Sequence, residues 1–204
     1  MPEQDAVLVM TCESFNLGKT MDAAYQTILP ALSNNPLPEN PTELISLKKE
    51  IANLALPVPK ANKISKNASK WNDKWFDVEN NVFNVPQIGF SFSKDEGVLS
   101  IKEGSESQKI AFGWENWKVN KSGVKNLFPV ANRTHIQSKI AATGTWIDDN
   151  TLQLNFKFVE AVHGDKLTIA FNDNSVEVSF LNSVSENSKN NPDKREKLRG
   201  VLKA

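Results

Sequence analysis

Residues able to do chemistry are few in this chain of 204 residues. The segment 18–20 (Gly-Lys-Thr) matches the end of a phosphate-binding loop, but such a loop needs a glycine at position 13, which is Glu13. The two histidines, His135 and His163, belong to no pattern that ties them to a nucleophile. The single cysteine, Cys12, cannot form an internal disulfide or a cysteine-rich zinc site. We therefore predict neither a metal site nor a cofactor site.

A serine followed three positions later by a lysine, an arrangement in which the lysine can activate the serine, begins at Ser46, Ser91 and Ser122. A working site of this type also needs a helix that starts at the serine, a second base and a Lys-Thr-Gly-type strand beside it. Ser46 falls in the middle of a predicted helix, Ser91 falls in a predicted strand, and the only tyrosine, Tyr25, faces a predicted core. We therefore predict no catalytic residue, and we do not expect this chain to be an enzyme.

Charge and hydropathy narrow the range of partners. Lysine plus arginine and aspartate plus glutamate both number 24, so net charge would not draw the chain to nucleic acid or to an anionic membrane. No stretch approaches the roughly 20 apolar residues of a membrane span, and the N-terminus lacks the basic and apolar regions of a signal peptide. The sequence therefore predicts no nucleic acid partner and no membrane span, and it leaves the localisation unknown.

The most regular part of the sequence runs from residue 138 to residue 181, where apolar side chains fall on every second position. A period of two places each set on one face of a strand. The sets are Ile140, Ala142, Gly144 and Trp146; Leu152, Leu154, Phe156 and Phe158; Leu167, Ile169 and Phe171; and Val176, Val178 and Phe180. Because turn-forming residues separate the sets, the pattern predicts an antiparallel meander with one buried face.

Four segments before this meander are also strand-like, and most of them show at least a partial period of two: 74–78, 88–93, 97–102 and 109–114. Strands at this spacing, without helices between them, are typical of a sandwich or an up-and-down barrel, and eight strands favour the barrel. The polar segment 185–197 is predicted to be mobile. The predicted fold class is mainly β: an antiparallel, lipocalin-like barrel of about eight strands, preceded by one strand and two helices.

The residues before the barrel carry one strand signal and two helix signals. Ala6–Thr11 is continuously apolar, as in a strand that is covered on both faces. A helical stripe follows over Met21–Leu32, and the segment 40–43 (Asn-Pro-Thr-Glu) is the start signature of a second helix. The polar, lysine-rich segment 60–70 suits a linker. The predicted parts are therefore a strand-helix-helix region (1–59), a linker (60–70) and a barrel domain (71–204).

The barrel domain is rich in large aromatic side chains that could line a ligand cavity. An eight-stranded barrel can either fill its interior or hold one small molecule. The candidate cavity-lining residues are Trp114, Trp146, Phe156 and Phe158. Large aromatic side chains more often fill cores, so a packed aromatic core is the competing interpretation.

Several segments resemble one known family. Residues 2–11, the Met21–Leu32 helix with its Leu-Pro-Ala, and residues 36–40 (Pro-Leu-Pro-Glu-Asn) look like the closing strand and C-terminal helix of the serine hydrolases of the β-lactamase and penicillin-binding protein family. Residues 88–92 (Ile-Gly-Phe-Ser-Phe), 113–117, 141–152 and 198–200 (Leu-Arg-Gly) resemble the β-rich C-terminal extension of some bacterial members. The most specific piece is Gly-Thr-Trp-x-Asp-Asp-Asn-Thr, at 144–151.

The resemblance implies a non-catalytic accessory barrel that packs against the catalytic domain of such a hydrolase, because no segment matches the family's catalytic motifs. Members of that family are often periplasmic or secreted. The alternative is a lipocalin-like barrel that binds a small apolar ligand. Residues 6–32 resemble part of a sheet whose other strands are not in this chain, so we also expect a homodimer formed through that region.

Overall fold

The computed structural model describes residues 1–14, 16–33, 35–60, 65–104, 106–121, 139–188 and 190–204. The chain forms two compact units, which we call the N-terminal unit (Met1–Pro57) and the barrel unit (Val58–Ala204).

Two α-helices, α1 (Leu17–Thr27) and α2 (Pro41–Asn53), dominate the N-terminal unit, with short 3-10 helices at Pro2–Gln4 and Leu29–Ala31. The start of α2 confirms the sequence prediction. The Asn40 side chain accepts a hydrogen bond from the Glu43 backbone N–H at 3.2 Å, and Pro41 takes the first helical position, where no N–H partner is needed. None of the described helices combines the length and hydropathy needed to cross a membrane.

The first helix begins earlier in the chain than the predicted Met21. Asn16 precedes it, and its Oδ1 accepts a hydrogen bond from the Lys19 backbone N–H at 3.0 Å, which is the role of an N-cap. After α1 the chain tightens into the 3-10 turn that contains Pro30, because proline cannot continue the hydrogen bonding of an α-helix.

The predicted strand Ala6–Thr11 is wrong. These residues have no regular structure, and the side chains of Val7 and Val9 are 88% and 78% exposed. A strand requires a neighbour that accepts and donates its backbone hydrogen bonds, and no strand among the described residues of the N-terminal unit supplies one.

Ten strands form one sheet in the described part of the barrel unit. They are β1 (Lys74–Val78), β2 (Gln87–Phe92), β3 (Glu96–Glu103), β4 (Glu106–Gly113), β5 (Lys118–Asn120), β6 (Ile140–Trp146), β7 (Thr151–Phe158), β8 (Gly164–Asn172), β9 (Ser175–Asn182) and β10 (Leu198–Leu202). Two short helices accompany them, α3 (Ala68–Trp71) and α4 (Ser183–Glu186). All eight strands predicted for the barrel are present, while β5 and β10 were not predicted.

The sheet closes into an up-and-down barrel, which confirms the predicted fold class. Apart from β4 and β5, strands that follow one another in the chain pair antiparallel, and β10 pairs with both β9 and β1, with Phe76 opposite Leu202. One parallel pairing, Gly113 with Thr143, joins β4 to β6 and completes the ring.

Side chains hold the seam where β4 meets β6. The Thr143 hydroxyl donates to the Gly113 carbonyl at 2.9 Å. The Asn120 amide accepts from the Ala111 N–H at 2.8 Å through Oδ1 and donates to the Ala111 carbonyl at 2.8 Å through Nδ2. The Asn120 side chain thus replaces the backbone of a neighbouring strand and satisfies polar groups that would otherwise cost free energy.

The barrel interior holds the apolar side chains that alternate along the strands. Phe156, Phe158, Ile169 and Val178 are at most 3% exposed, which confirms the register inferred from the period of two. The ring of Phe112 lies against two glycines of different strands. A Cβ atom built on Gly97 would lie 2.3 Å from the ring, and one on Gly144 would lie 2.6 Å from it.

Residues 65–71 close one end of the barrel, which we call the aromatic end. Trp71 is 1% exposed, stacks on Phe171 with ring centroids 4.5 Å apart, and donates its indole N–H to the Asp173 carbonyl at 3.3 Å. The Ser65 hydroxyl donates to the Asp149 carbonyl at 2.5 Å. Residues 65–70 were predicted to be part of a linker, but they pack on the barrel, held by Ser65 at one end and by the neighbouring Trp71 at the other. Residues 61–64 of the predicted linker lie outside the described residues.

Candidate functional site

Two connections meet at the end of the barrel opposite Trp71: the loop 79–86 between β1 and β2, and the segment 183–197 between β9 and β10. The Val82 N–H donates to Glu196 Oε1 at 2.8 Å, and the rings of Phe83 and Phe180 lie 5.4 Å apart. A cleft of about 400 Å³ lies here. Its lining residues, which define what we call the Phe83 cleft, are Val82, Phe83, Asn182, Asp193, Lys194, Arg195 and Glu196.

The side chain of Asn81 shapes the first of these connections. Its Oδ1 accepts from the N–H groups of Phe83 and Val85 at 3.1 and 3.2 Å, and its Nδ2 donates to the carbonyls of Glu79 and Val85 at 2.8 and 2.9 Å. Asparagine favours turns because its short side chain can bond to the nearby backbone in this way. The loop consequently buries Phe83 and Val85, which are 6% and 0% exposed.

Arg195 is the polar centre of the cleft wall. Its guanidinium donates two parallel hydrogen bonds to Asp165, from Nη1 at 2.7 Å and from Nη2 at 2.8 Å. The guanidinium carbon also lies 4.8 Å from the centroid of the Phe180 ring. The planar guanidinium fits both a carboxylate and an aromatic face, so Arg195 fastens the segment 183–197 to β8 and β9.

Asp193 holds Arg195 from the other side. One carboxylate oxygen accepts from Arg195 Nε at 2.9 Å, and the other accepts from the backbone N–H and the side-chain amide of Asn182 at 2.8 and 3.0 Å. The Asn182 Oδ1 in turn accepts from the Ser185 N–H at 2.9 Å and caps α4. The end of β9, the helix α4 and Arg195 therefore form one hydrogen-bonded assembly.

The pKa values of these groups shift in different directions, because burial and hydrogen bonding balance differently at each group. Burial raises the pKa of Asp165, whose side chain is 1% exposed, and this effect outweighs the opposing hydrogen bonds and charge of Arg195. Burial also acts to raise the pKa of Asp193, but hydrogen bonds from Arg195 and Asn182 outweigh it and hold the pKa below its ordinary value. For Arg195, burial acts to lower the pKa, and the two carboxylates more than reverse this. The guanidinium therefore stays charged.

Lys194 is the cation of the cleft that is available to a bound molecule. Arg195 and Asp193 bind each other, and Glu196 accepts the Val82 N–H. Within the described ranges, the exposed Lys194 ammonium makes no hydrogen bond or ion pair.

Two of the four residues predicted to line a cavity lie at the aromatic end. Trp114 follows β4 and Trp146 ends β6, and the ring of Phe92 lies 6.3 Å from the first and 5.3 Å from the second. Trp114 and Trp146 are 7% and 1% exposed. Protein atoms cover both rings, so a ligand beside them would have to displace packed side chains.

The other two, Phe156 and Phe158, lie toward the Phe83 cleft. Phe156 is opposite Asp165 in the register of β7 and β8, and Phe158 comes two residues later. Their exposed fractions are 1% and 2%. The four predicted residues are therefore not brought together in one group, and whether any of them contacts a ligand stays a prediction.

The residues of the rejected catalytic patterns are scattered. Lys19 lies in α1, Ser46 in α2 and Ser91 in β2, while Ser122 and His135 lie outside the described residues. The His163 Nδ1 atom lies 3.5 Å from the Ser183 hydroxyl. In the described ranges, no group of three or more His, Cys, Asp or Glu side chains is placed to hold a metal ion.

The sequence analysis missed Asp165, Asp193 and Arg195. Asp165 could have been identified from the sequence, because it stands two residues before Leu167 and four before Ile169 and so lies on the same inward face of the strand. An inward carboxylate requires a buried partner. Asp193 and Arg195 gave no such signal, because they lie in the polar segment that was predicted to be mobile.

Comparisons with known proteins give similarities to solved structures only. No protein-family model matches the chain, and no curated protein matches it. A fatty-acid-binding protein from Manduca sexta is 11% identical with a TM-score of 0.42, over 66% of this chain and 99% of that one. A secretory abundant heat soluble protein from Ramazzottius varieornatus is 9% identical with a TM-score of 0.43, over 66% of this chain and 94% of that one.

Proposed function

We propose that the barrel unit binds a small, mainly apolar molecule, and that the Phe83 cleft takes it. The observation that carries this proposal is a space of about 400 Å³ lined by the apolar side chains of Val82 and Phe83 together with five polar or charged residues. Ligand sites in proteins are typically concave, roughly 300 to 1,000 Å³ in volume, and mostly apolar with a small number of polar groups.

The apolar part of the ligand would lie mainly against Val82, beside the small exposed part of Phe83. Val82 is 75% exposed, so covering it removes apolar surface from water. Phe83 packs on Phe180, and both side chains belong to the hydrophobic core. An apolar ligand therefore adds to a surface that continues into the barrel interior.

The polar part of the ligand would lie near Lys194. An acidic head group beside Lys194 gains an ion pair, whereas a basic one meets a like charge; the head group must also keep clear of the carboxylate of Glu196, whose Oε1 accepts the Val82 N–H. We therefore expect the cleft to prefer an acidic ligand over a neutral ligand of the same shape.

Binding of 1-naphthol and 1-naphthoate, measured by calorimetry and by the rise in melting temperature, tests the proposal. A molecule that binds only the folded state raises the melting temperature by mass action. We expect saturable binding of both, at least threefold tighter for 1-naphthoate, and a loss of that preference in Lys194→Met.

A matched pair of valine variants locates the site. Val82→Asp places a charge on the apolar side of the cleft and should weaken 1-naphthol binding at least fivefold. Val201→Asp places the same charge on β10, where Val201 is 58% exposed, and should change binding less than twofold. Absence of saturable binding, or equal losses in the two variants, would refute the Phe83 cleft as the ligand site.

The accessory role beside a serine hydrolase domain, which the sequence resemblance implies, stays a separate prediction. The geometry of the Phe83 cleft neither requires that partner nor excludes it.

A further inference from the structure

The N-terminal unit has almost no hydrophobic core of its own. Among its described residues, Ala24 is the only one that is buried. Large apolar side chains from residue 17 to residue 56 are instead 39% to 79% exposed. They are Leu17, Tyr25, Ile28, Leu32, Leu37, Leu44, Ile45, Leu47, Ile51, Leu54 and Leu56.

The exposed area matches what one half of a protein interface needs. A fully exposed Leu or Ile side chain offers roughly 100 Å² of apolar surface, so these residues together present roughly 600 Å² in each copy of the chain. This total is summed over separate positions from residue 17 to residue 56; for comparison, the largest contiguous apolar patch of an ordinary monomer covers about 300 to 600 Å². A standard interface buries about 800 Å² per partner, of which roughly 450 Å² is apolar.

The helix α2 gives this surface a regular shape. Leu44, Leu47 and Ile51 are spaced by three and four residues, which places them in one stripe along the helix, and Leu54 follows at the C-cap, directly after the last helical residue. This is the spacing with which one helix packs lengthwise against another. Ser46, between Ile45 and Leu47, is a polar position outside the stripe.

The charges of α2 favour a second copy of the chain as the occupant. Glu43 and Glu50 balance Lys48 and Lys49, and the whole chain is also neutral, so two copies meet without net repulsion. A neutral surface offers no attraction to an anionic membrane or to a strongly charged protein. A symmetric dimer brings the same apolar patch to both sides, which is the complementarity that this stripe needs.

We propose that the chain forms a homodimer in which the α2 stripe of one copy packs against the α2 stripe of the other. This contact differs from the region 6–32 that the sequence analysis favoured, and it is independent of the ligand proposed for the barrel unit. The remaining exposed apolar side chains of the N-terminal unit would surround the two stripes.

Sedimentation equilibrium of the full chain across a wide concentration range tests the proposal. We expect a reversible monomer–dimer equilibrium. Leu47→Glu should weaken the dimer at least tenfold, because it buries a carboxylate in the interface. Ser46→Glu adds the same side chain at the adjacent position outside the stripe and should change the dissociation constant less than twofold.

The five tryptophans, which lie at positions 71 to 146, report on the barrel unit in every variant. An unchanged tryptophan emission spectrum therefore shows that Leu47→Glu acts on association and not on the barrel. A full chain that stays monomeric at all concentrations overturns the proposal. In that case, protection of the α2 amides from hydrogen exchange would show that another part of the same chain covers the stripe. Equal weakening by both variants also overturns it.

Discussion

Asp165 and Arg195 lie 30 residues apart in the sequence and meet through two parallel hydrogen bonds of 2.7 and 2.8 Å. Their side chains are only 1% and 10% exposed. Removing two charges from water is costly, and their attraction reduces that cost only while both partners are present. The pair is therefore the point where the closure of this barrel end is most sensitive to substitution.

Arg195→Met should lower the free energy of unfolding by about 3 to 5 kcal/mol, because it leaves Asp165 buried without its counter-charge. Urea denaturation followed by tryptophan fluorescence measures the loss. Arg199→Met is the control: Arg199 also binds an acid, Glu177, at 3.1 Å, but the two side chains are 59% and 36% exposed. That variant should lose less than about 1 kcal/mol. Equal losses in the two variants would contradict a structural role for the buried pair.

Asp165→Asn and Asp193→Asn should show opposite pH dependence. The pKa of Asp165 is raised on folding, so its favourable contribution is complete below the ordinary aspartate pKa of about 3.9 and is lost as the pH rises through the folded value. The pKa of Asp193 is lowered, so its contribution is complete above about 3.9 and is lost as the pH falls. The stability lost in Asp165→Asn should therefore shrink from acid to neutral pH, and that lost in Asp193→Asn should grow. Urea denaturation at several pH values measures the stability loss in each variant. Losses that change with pH in the same direction in both variants would contradict the assigned directions of the two pKa shifts.

Gly144→Ala should destabilise the barrel by about 1 to 3 kcal/mol, because the added methyl group would lie 2.6 Å from the Phe112 ring. The loss should shrink in a Phe112→Leu background, which a double-mutant cycle of thermal unfolding measures. Gly104→Ala is the comparison: Gly104 has φ of +60° and open space around it, so its cost is conformational and should not depend on residue 112. A Gly144→Ala penalty that survives Phe112→Leu would contradict the steric explanation.

Asn120→Ala should expose the Ala111 amide to exchange and cost about 1 to 3 kcal/mol, because the seam then has an unsatisfied N–H and carbonyl. Hydrogen exchange read at Ala111 measures the effect. Asn120→Asp keeps an acceptor for the N–H but sets a carboxylate oxygen against the Ala111 carbonyl, so protection should fall less than in the alanine variant. Asn172→Ala, on the exposed side of β8, should leave Ala111 protected. An Ala111 amide that remains protected in Asn120→Ala would show that another group closes the seam.

The sequence predicts the meander because alternation along a strand does not depend on which strand lies beside it. Leu152 and Ile169 are fully buried, and the period of two alone predicts their inward positions, whichever strands lie beside them. In β10 the inward position between Leu198 and Leu202 is Gly200, so the alternation is hidden there. The prediction of a strand at Ala6–Thr11 failed because it rested on apolar composition alone. Such composition does not show whether a partner strand is present.

Sequence periodicity could not predict the candidate site. The Phe83 cleft comes from two connections far apart in the chain, and one of them owes its shape to the four hydrogen bonds of a single amide, Asn81. Irregular segments of this kind are organised by specific polar contacts, which composition does not reveal. An inward charge on an alternating strand, as at Asp165, is the one signal that would have pointed to this end of the barrel.

The pairing of Phe76 with Leu202 has a consequence for synthesis of the chain on the ribosome. β1 emerges early and finds β2, but its other edge is paired by β10, which is made only after β9. Until Leu198–Leu202 leaves the exit tunnel, β1 and β9 both present open edges, and open edges are the sites where nascent chains associate wrongly. Closure of the barrel therefore has to wait for β10 and is limited by contacts of long sequence separation, and nascent chains that stall before residue 198 are the species most in need of a chaperone.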